Sequence, residues 1–431
     1  MSDVIESLLG GTLADPDGGP PLGVPTRSVT IAESLAGAEA GLVRDLGFSG
    51  RLAVIADPDT GAALGARVEK ALAGLGEVLP VALPAHPHPD LETAERVIAA
   101  TAPADALVAV GSGTINDLAK YTAARTGKPY AVFATAPSMN GYTSVNAAIT
   151  VDGHKKSLPA TAAAGVFMDL SVLAAAPSRL IRSGLGDSLY RPTAQADWLL
   201  AHLACGRPYR EAPFALLAAD EAALFAEPEA LLRGDLAAMR RLARTLVLSG
   251  FGMTLVGSSH PASEGEHLIS HYADMMGDPR WPESYHGEQI GVTTLAMARL
   301  QARLLDGPPP VVRPTATTRD DVIAHFGPVL GESCWREFAA KRLDATAAEA
   351  MNARFAAGWE TIRERIAAAA RPPAALEGVL AAIGAPRTPR DLGWPDRFYR
   401  DAVVHARLIR DRYTFLDLAA DTGVFAEGFA P

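Results

Sequence analysis

The sequence predicts an α/β domain built on a parallel sheet, followed by an all-α domain. Between about residues 50 and 170, short apolar runs alternate with helical stretches, and the runs show no in–out alternation of polarity. Strands of that texture with helices between them belong to a parallel sheet covered on both faces. Beyond about residue 173 nearly every segment is rich in alanine and leucine at helical spacing. The expected division is residues 1–172 for the sheet domain and 173–431 for the helical domain.

The elements follow in order. RLAVIAD (51–57) is a strand, TGAALGARVEKALAG a helix, VLPVAL (78–83) a strand and LETAERVIAATA a helix. DALVAVG (105–111) and PYAVFAT (129–135) are further strands, joined by the helical NDLAKYTAARTG. AAITVDGHKKSLPA (147–160) reads as a β-hairpin turning at Asp152-Gly153, residues that tolerate positive φ. VFMDL (166–170) is one more strand, and proline clusters such as DGPPPVVRP (306–314) interrupt the later helices.

Bulk properties exclude several classes. At 431 residues the chain can bury two or three cores, and its 48% hydrophobic content is that of a globular protein. A net charge of −10 argues against a nucleic-acid partner, so an anionic ligand must find its cations locally. No stretch approaches eighteen uninterrupted apolar residues, and MSDVIESLLGGTLADPDGG lacks the basic flank of a signal peptide. Cys205 and Cys334 stand too far apart in sequence to suggest a disulfide framework or a thiolate metal site. A cytoplasmic protein without membrane insertion is expected.

Three segments carry chemistry. GEHLISHYADMMGDPRWPESYHGEQIG (265–291) holds His267, His271 and His286, three of only ten histidines. On a helix, His267 and His271 project from one face, which suits a shared metal ion or a substrate as well as ordinary core packing. VAVGSGTINDLAK places Gly111 and Gly113 between a strand and a helix, where a backbone can approach a phosphate at the helix N-terminus or merely make a tight turn. Asp57 closes the first strand, where a carboxylate accepts ribose hydroxyls and repels a 2′-phosphate, or simply forms the turn before Pro58.

Taken in order, VGSGTINDLAK, ATAPSMNGYTS (134–144), SGLGDSLYRPTAQADW (183–198), SEGEHLISHYADM, YHGEQIGV and IRDRYTFLDLA (409–419) resemble the sn-glycerol-1-phosphate dehydrogenases. That family lies within the iron-type alcohol dehydrogenase and dehydroquinate synthase-like superfamily. The resemblance spans roughly residues 50–425 and implies a Rossmann-like N-terminal domain, a helical C-terminal domain and a divalent metal. By motif position, Asp187, His267 and His286 match the metal ligands, while His271 matches a position that faces substrate. Gly113, Thr114, Asn116 and Asp117, with Gly111 and Ile115 in the same loop, match the stretch that wraps the dinucleotide pyrophosphate. Thr135, Ser138 and Ser144 match further dinucleotide contacts, and Asn140 falls where many relatives have an aspartate near the substrate. Two other departures bear on phosphate binding: Arg191-Pro192 where relatives commonly carry lysine, and His260 in place of arginine.

The implied reaction is hydride transfer from NADH or NADPH to the ketone of dihydroxyacetone phosphate. Asp187 and two imidazoles suit zinc, with nickel or iron as alternatives, and leave coordination positions open for a Lewis acid. His271 is the proton donor or relay. Arg191 is a candidate for the phosphate; Arg410 and Arg412 could also reach it, or lie on a solvated face or in a salt bridge. A homo-oligomer, dimer or larger, is expected. Three alternatives remain. One is a sugar-phosphate cyclase, expected to carry more lysines and arginines around its substrate. Another is an oxidoreductase acting on a polyol or on a different phosphorylated or phosphonate ketone. The last is a silent nucleotide-binding protein, against which the intact Asp, His, His set argues.

Overall fold

In the computed structural model, which describes residues 3–426 and 428, the chain forms two compact units. The first comprises the described residues up to 151 together with 156–188 and 211–259; the second comprises 152–155, 189–210 and the described residues from 260 on. The helices that bear on the site, in chain order, are α1 (Gly113–Thr126) and α2 (Ser178–Ser188) in the first unit and α3 (Arg191–Cys205) in the second. The chain returns to the first unit with α4 (Leu236–Val256), and α5 (Gly265–Met276) and α6 (His286–Leu305) belong to the second.

The first unit is built on a six-stranded, wholly parallel sheet. Its strands are β1 (Ser28–Ala32), β2 (Gly50–Ala56), β3 (Gly76–Ala82), β4 (Ala106–Gly111), β5 (Tyr130–Ala134) and β8 (Gly165–Asp169), in spatial order β1-β8-β5-β4-β2-β3. The apolar runs become the central strands: β4, β5 and β8 are buried along their whole length, and Leu52, Val54, Val108, Val110, Phe133 and Phe167 lie in one core. The sequence does not announce β1, a five-residue edge strand with every position half-buried. The expected hairpin is present as β6 (Asn146–Val151) and β7 (His154–Pro159), with Asp152 at φ 51° and Gly153 at φ 77° in the turn.

Strand order decides where a ligand can sit. β2 is followed by β3 on one side and by β4 on the other, so the winding direction reverses between β2 and β4. In open α/β sheets, ligands occupy the crevice at the carboxyl ends of the strands flanking such a reversal. Asp57 and Gly111 stand at those two ends.

The boundary expected at residue 172 marks the last strand, but packing divides the chain elsewhere. Helices α2 and α4 pack on each other, and Arg240 on α4 donates to the carbonyl of Ile31 in β1 at 2.5 Å. A parallel sheet needs helical cover on both faces, and some of that cover is supplied by the later half of the chain.

The second unit is helical and has its own core, in which Leu199, Ile269, Val292, Phe355 and Leu416 are buried together. It includes the hairpin tip, residues 152–155. The proline-rich stretch 306–318 forms no regular element.

Candidate functional site

In the first unit, β4 ends at Gly111 and α1 begins at Gly113. Neither glycine has positive φ, so the tight-turn explanation for them fails. Close packing is the reason at Gly111, where a Cβ would stand 2.5 Å from the side chain of buried Ile115. At Gly113 a Cβ would meet Met139 at 3.3 Å. Ser112 makes no side-chain cap to α1, so the first-turn amides, Thr114 among them, are not closed off by it. Thr135, buried at the end of β5, ties its N–H to Gly111 O at 3.1 Å.

Asp57 at the other strand end caps the following helix: its carboxylate accepts Thr60 N–H at 2.8 Å, and Thr60 Oγ1 accepts Asp57 N–H at 3.0 Å. The turn-forming role is therefore real, and it occupies one carboxylate oxygen.

The segment SMNGYTS (138–144) is a loop whose backbone is held from several helices. Lys120 on α1 is fully buried and directs Nζ at Gly141 O (2.6 Å), Ser144 Oγ (2.9 Å) and Asn146 O (2.9 Å), with Asp117 at 3.4 Å. Burial lowers the lysine pKa and Asp117 opposes that. Asp117 also accepts Ala148 N–H at 3.3 Å, and Asn116 Nδ2 donates to Gly141 O at 3.4 Å. From α2, Ser183 donates to Ser138 O at 3.2 Å; α4 is joined by Thr143 donating to Val247 O at 2.6 Å and Thr254 donating to Thr143 O at 2.8 Å. Ser144 spends its hydroxyl on the loop itself, bonding Gly141 O at 3.1 Å or Asn146 O at 3.0 Å.

Two glycines let these helices come so close. A Cβ at Gly184 would lie 1.6 Å from Pro137 O, and one at Gly250 would lie 2.1 Å from Thr143 Oγ1. Three residues beyond Gly184, the wholly buried Asp187 accepts the peptide N–H of Asn140 at 2.8 Å. Asn140 Nδ2 and Asn116 Oδ1 are buried without a hydrogen-bond partner among the described residues.

In the second unit, α5 carries His267 and His271, and α6 opens on His286. The ring centroids of His267 and His286 are 5.1 Å apart, and His271 lies 6.1 Å from His267 and 6.3 Å from His286. His267 Nδ1 stands 2.8 Å from Glu266 Oε1, and the same oxygen accepts Glu264 N–H at 2.9 Å. Glu266 Oε2 faces Thr193 Oγ1 at 3.1 Å. Close by, Asp197 accepts the N–H groups of Gly265 and Phe415, each at 2.9 Å. Burial pushes the carboxyls of Asp197 and Glu264 well up, and Glu266 adds to both shifts.

Burial likewise holds His271 far below the usual histidine range, with Arg410 and Lys155 acting in the same direction. Its Nδ1 is buried and has no hydrogen-bond partner among the described residues. Arg410, pushed down to about 10 by burial and then by Arg412, donates to Lys155 O at 3.0 Å, and Lys155 pairs with Asp274 at 2.8 Å. Arg410 thus follows a short 3₁₀ turn and is not on a solvated helix face. Arg191, in the first turn of α3, donates to Gln195 Oε1 at 2.9 Å. His260 stacks on Trp198 and bonds Glu264 at 2.9 Å, with burial, then Arg412, driving its pKa down to about 3.

The first unit thus gathers the loop residues, Asn140 and Asp187, and the second gathers the three histidines. Lys120, Glu266, Gly184 and Lys155 were not singled out by the sequence. All four lie within segments that carry a sequence signal; in NDLAK and GEHLISH a charge looks like a solvated helix face until burial is known.

Residues 30–177 match the family described as iron-containing alcohol dehydrogenase. The glycerol-1-phosphate dehydrogenase (NAD(P)+) of Thermococcus kodakarensis is 34% identical over 276 residues, 64% of this chain and 77% of that protein. This chain belongs to the glycerol-1-phosphate dehydrogenase family. The Bacillus licheniformis relative of the same name is 28% identical over 382 residues, 87% of this chain and 84% of that one. Among solved structures, a probable glycerol dehydrogenase from Sinorhizobium meliloti 1021 superposes with a TM-score of 0.60 at 17% identity, covering 94% of this chain and 98% of that one, and shares the fold. As a glycerol-1-phosphate dehydrogenase family member, the chain combines an α/β sheet unit with a helical unit, as the resemblance implied. Among the described residues, no helix is long and apolar enough to cross a membrane.

Proposed function

We propose that this chain catalyses reversible reduction of dihydroxyacetone phosphate to sn-glycerol 1-phosphate, with NADH or NADPH and one divalent metal. The family relationship supports the reaction, and one local observation carries the chemistry. His267 and His286 lie ring to ring at 5.1 Å, and His267 has Nδ1 committed to an acceptor-only carboxylate, which leaves Nε2 for a metal. Asp187, His267 and His286 supply one carboxylate and two imidazoles, a donor set that fits zinc, nickel or iron and leaves coordination positions open. The nicotinamide would supply hydride, and the metal would supply Lewis acidity at the ketone oxygen.

The other roles belong to side chains of this chain. Gly111, Gly113, Thr114, Ile115, Asn116 and Asp117 form the pyrophosphate end at the start of α1, and Thr135, Ser138 and Ser144 shape the loop beside it. Asp57 takes the adenosine ribose with its remaining oxygen. Asn140 offers an unpartnered Nδ2 to the substrate, and His271 an unpartnered Nδ1 on a neutral ring, suited to relaying a proton. A phosphate dianion is held by cations, with Arg191 as one candidate. Arg410 and Lys155, whose charges already act on His271, are two more. The protein works in the cytoplasm as a homo-oligomer, dimer or larger; light scattering after size exclusion tests the assembly.

The deciding experiment compares dihydroxyacetone phosphate with dihydroxyacetone on one metal-replete preparation and assigns the product with an enantiospecific assay. Loss of the phosphate is expected to lower kcat/KM by about four powers of ten, because the charge-assisted contacts made to it are lost from the transition state. Equal rates, or a 3-phosphate product, would move the chain to a polyol or another ketone.

A further inference from the structure

Glu266 has no place among the metal ligands, yet it is more enclosed than either histidine beside it. Its side chain has no exposed surface, and its two oxygens meet three donors: Glu264 N–H at 2.9 Å, Thr193 Oγ1–H at 3.1 Å and His267 Nδ1 at 2.8 Å. A carboxylate that gathers donors in this way is an acceptor, so the ring nitrogen facing it bears the proton. The hydroxyl of Thr193 is shared with Tyr190 O at 2.8 Å, which anchors it to the start of α3. Glu266 is therefore clamped to the backbone ahead of α5 at one oxygen and to α3 at the other.

From this arrangement we infer that Glu266 is the positioning residue of the metal centre. It fixes His267 in the Nδ1–H tautomer and holds the ring so that Nε2 presents its lone pair to the ion. The inference rests on the metal reading of His267 and concerns how the ion is held, independently of which ketone is reduced. A side chain at 266 without an oxygen loses the acceptor for Nδ1–H, and the ring is then free to rotate or to move its proton to Nε2, which in that form cannot bind metal. Partners of this kind change metal affinity by ten- to a hundredfold.

The test uses the full-length protein and cobalt(II) as the probe. Glu266→Leu keeps much of the side chain's bulk and removes both acceptor oxygens. Its expected effect is a ten- to a hundredfold weaker cobalt affinity in chelator competition and an altered visible d–d spectrum, with NADH binding unchanged. Glu266→Asp, which keeps the charge and draws it back by one methylene, should lie between. In the metal-free wild type, assigned nitrogen-15 NMR should find the His267 ring locked with its proton on Nδ1, a state lost in Glu266→Leu. Wild-type affinity and an unchanged cobalt spectrum in Glu266→Leu would overturn the inference alone. Failure of the wild type to bind cobalt at all would overturn the metal reading and the inference with it.

Discussion

Asp187 Oδ2 accepts the peptide N–H of Asn140 at 2.8 Å, so the proposed metal carboxylate is anchored to main chain and not to the Asn140 side chain. Asn140→Ala leaves that bond in place. It should keep full metal content while removing the free carboxamide, raising KM for dihydroxyacetone phosphate about three- to tenfold, the effect of one neutral hydrogen bond. Loss of metal from this variant would show that the side chain, not the backbone, organises the carboxylate.

Replacing His286 by alanine removes one of the two imidazoles and leaves a carboxylate and one histidine. Metal content measured by atomic emission should fall to a small fraction of the wild-type value, and kcat by at least about a thousandfold, since Lewis-acid stabilisation amounts to several kcal/mol. Full occupancy in the variant would refute the ligand assignment.

Asp57 does two things at once, and the structure suggests how to separate them. Alanine would remove the helix cap together with the charge, at a cost of about 1 kcal/mol in stability. Serine keeps a capping oxygen for Thr60 N–H and removes the charge and the second oxygen. Asp57→Ser should hold the melting temperature and raise kcat/KM for NADPH relative to NADH by about tenfold; an unchanged ratio would mean the carboxylate does not meet the ribose.

A fourth prediction concerns stability. Burial, reinforced by Asp417, lifts Asp421 from 3.8 to about 6, while Thr315 and Tyr413 hydrogen-bond its oxygens. For a carboxyl with a raised folded-state pKa, the stabilising contribution is complete below pH 3.8 and is lost as pH rises through 6. Asp421→Asn cannot ionise, so the stability of the variant relative to wild type should increase between pH 4.5 and 7.5, by about 1–3 kcal/mol. Denaturation profiles at the two pH values test this, and a pH-independent difference would contradict it.

How much of this was legible beforehand follows from where the information resides. The parallel sheet could be read because fully buried strands are apolar without alternation, as in DALVAVG. The edge strand β1 could not, because its half-buried SVTIA has neither alternation nor an apolar run. His267 and His271 announced themselves by spacing along one helix, and His286 by its nearness in sequence. Glu266 did not, since an acid next to a histidine on a helix ordinarily faces water; only packing against α3 reveals it as buried. The division of helices between the two units was equally hidden, because the texture of α2 and α4 is that of any alanine-rich helix.

Gly184 bears no functional group, yet its single hydrogen is what lets the helix of Asp187 rest against Pro137 O. In a mutational map scored by turnover, this position would be mistaken for part of the chemistry, because any added carbon wedges the helix off the loop and carries Asp187 with it. The carboxylate proposed for the metal thus has no independent address in this protein: its coordinates are inherited from a contact made one helical turn away, and whoever redesigns that proposed site must first preserve an empty space.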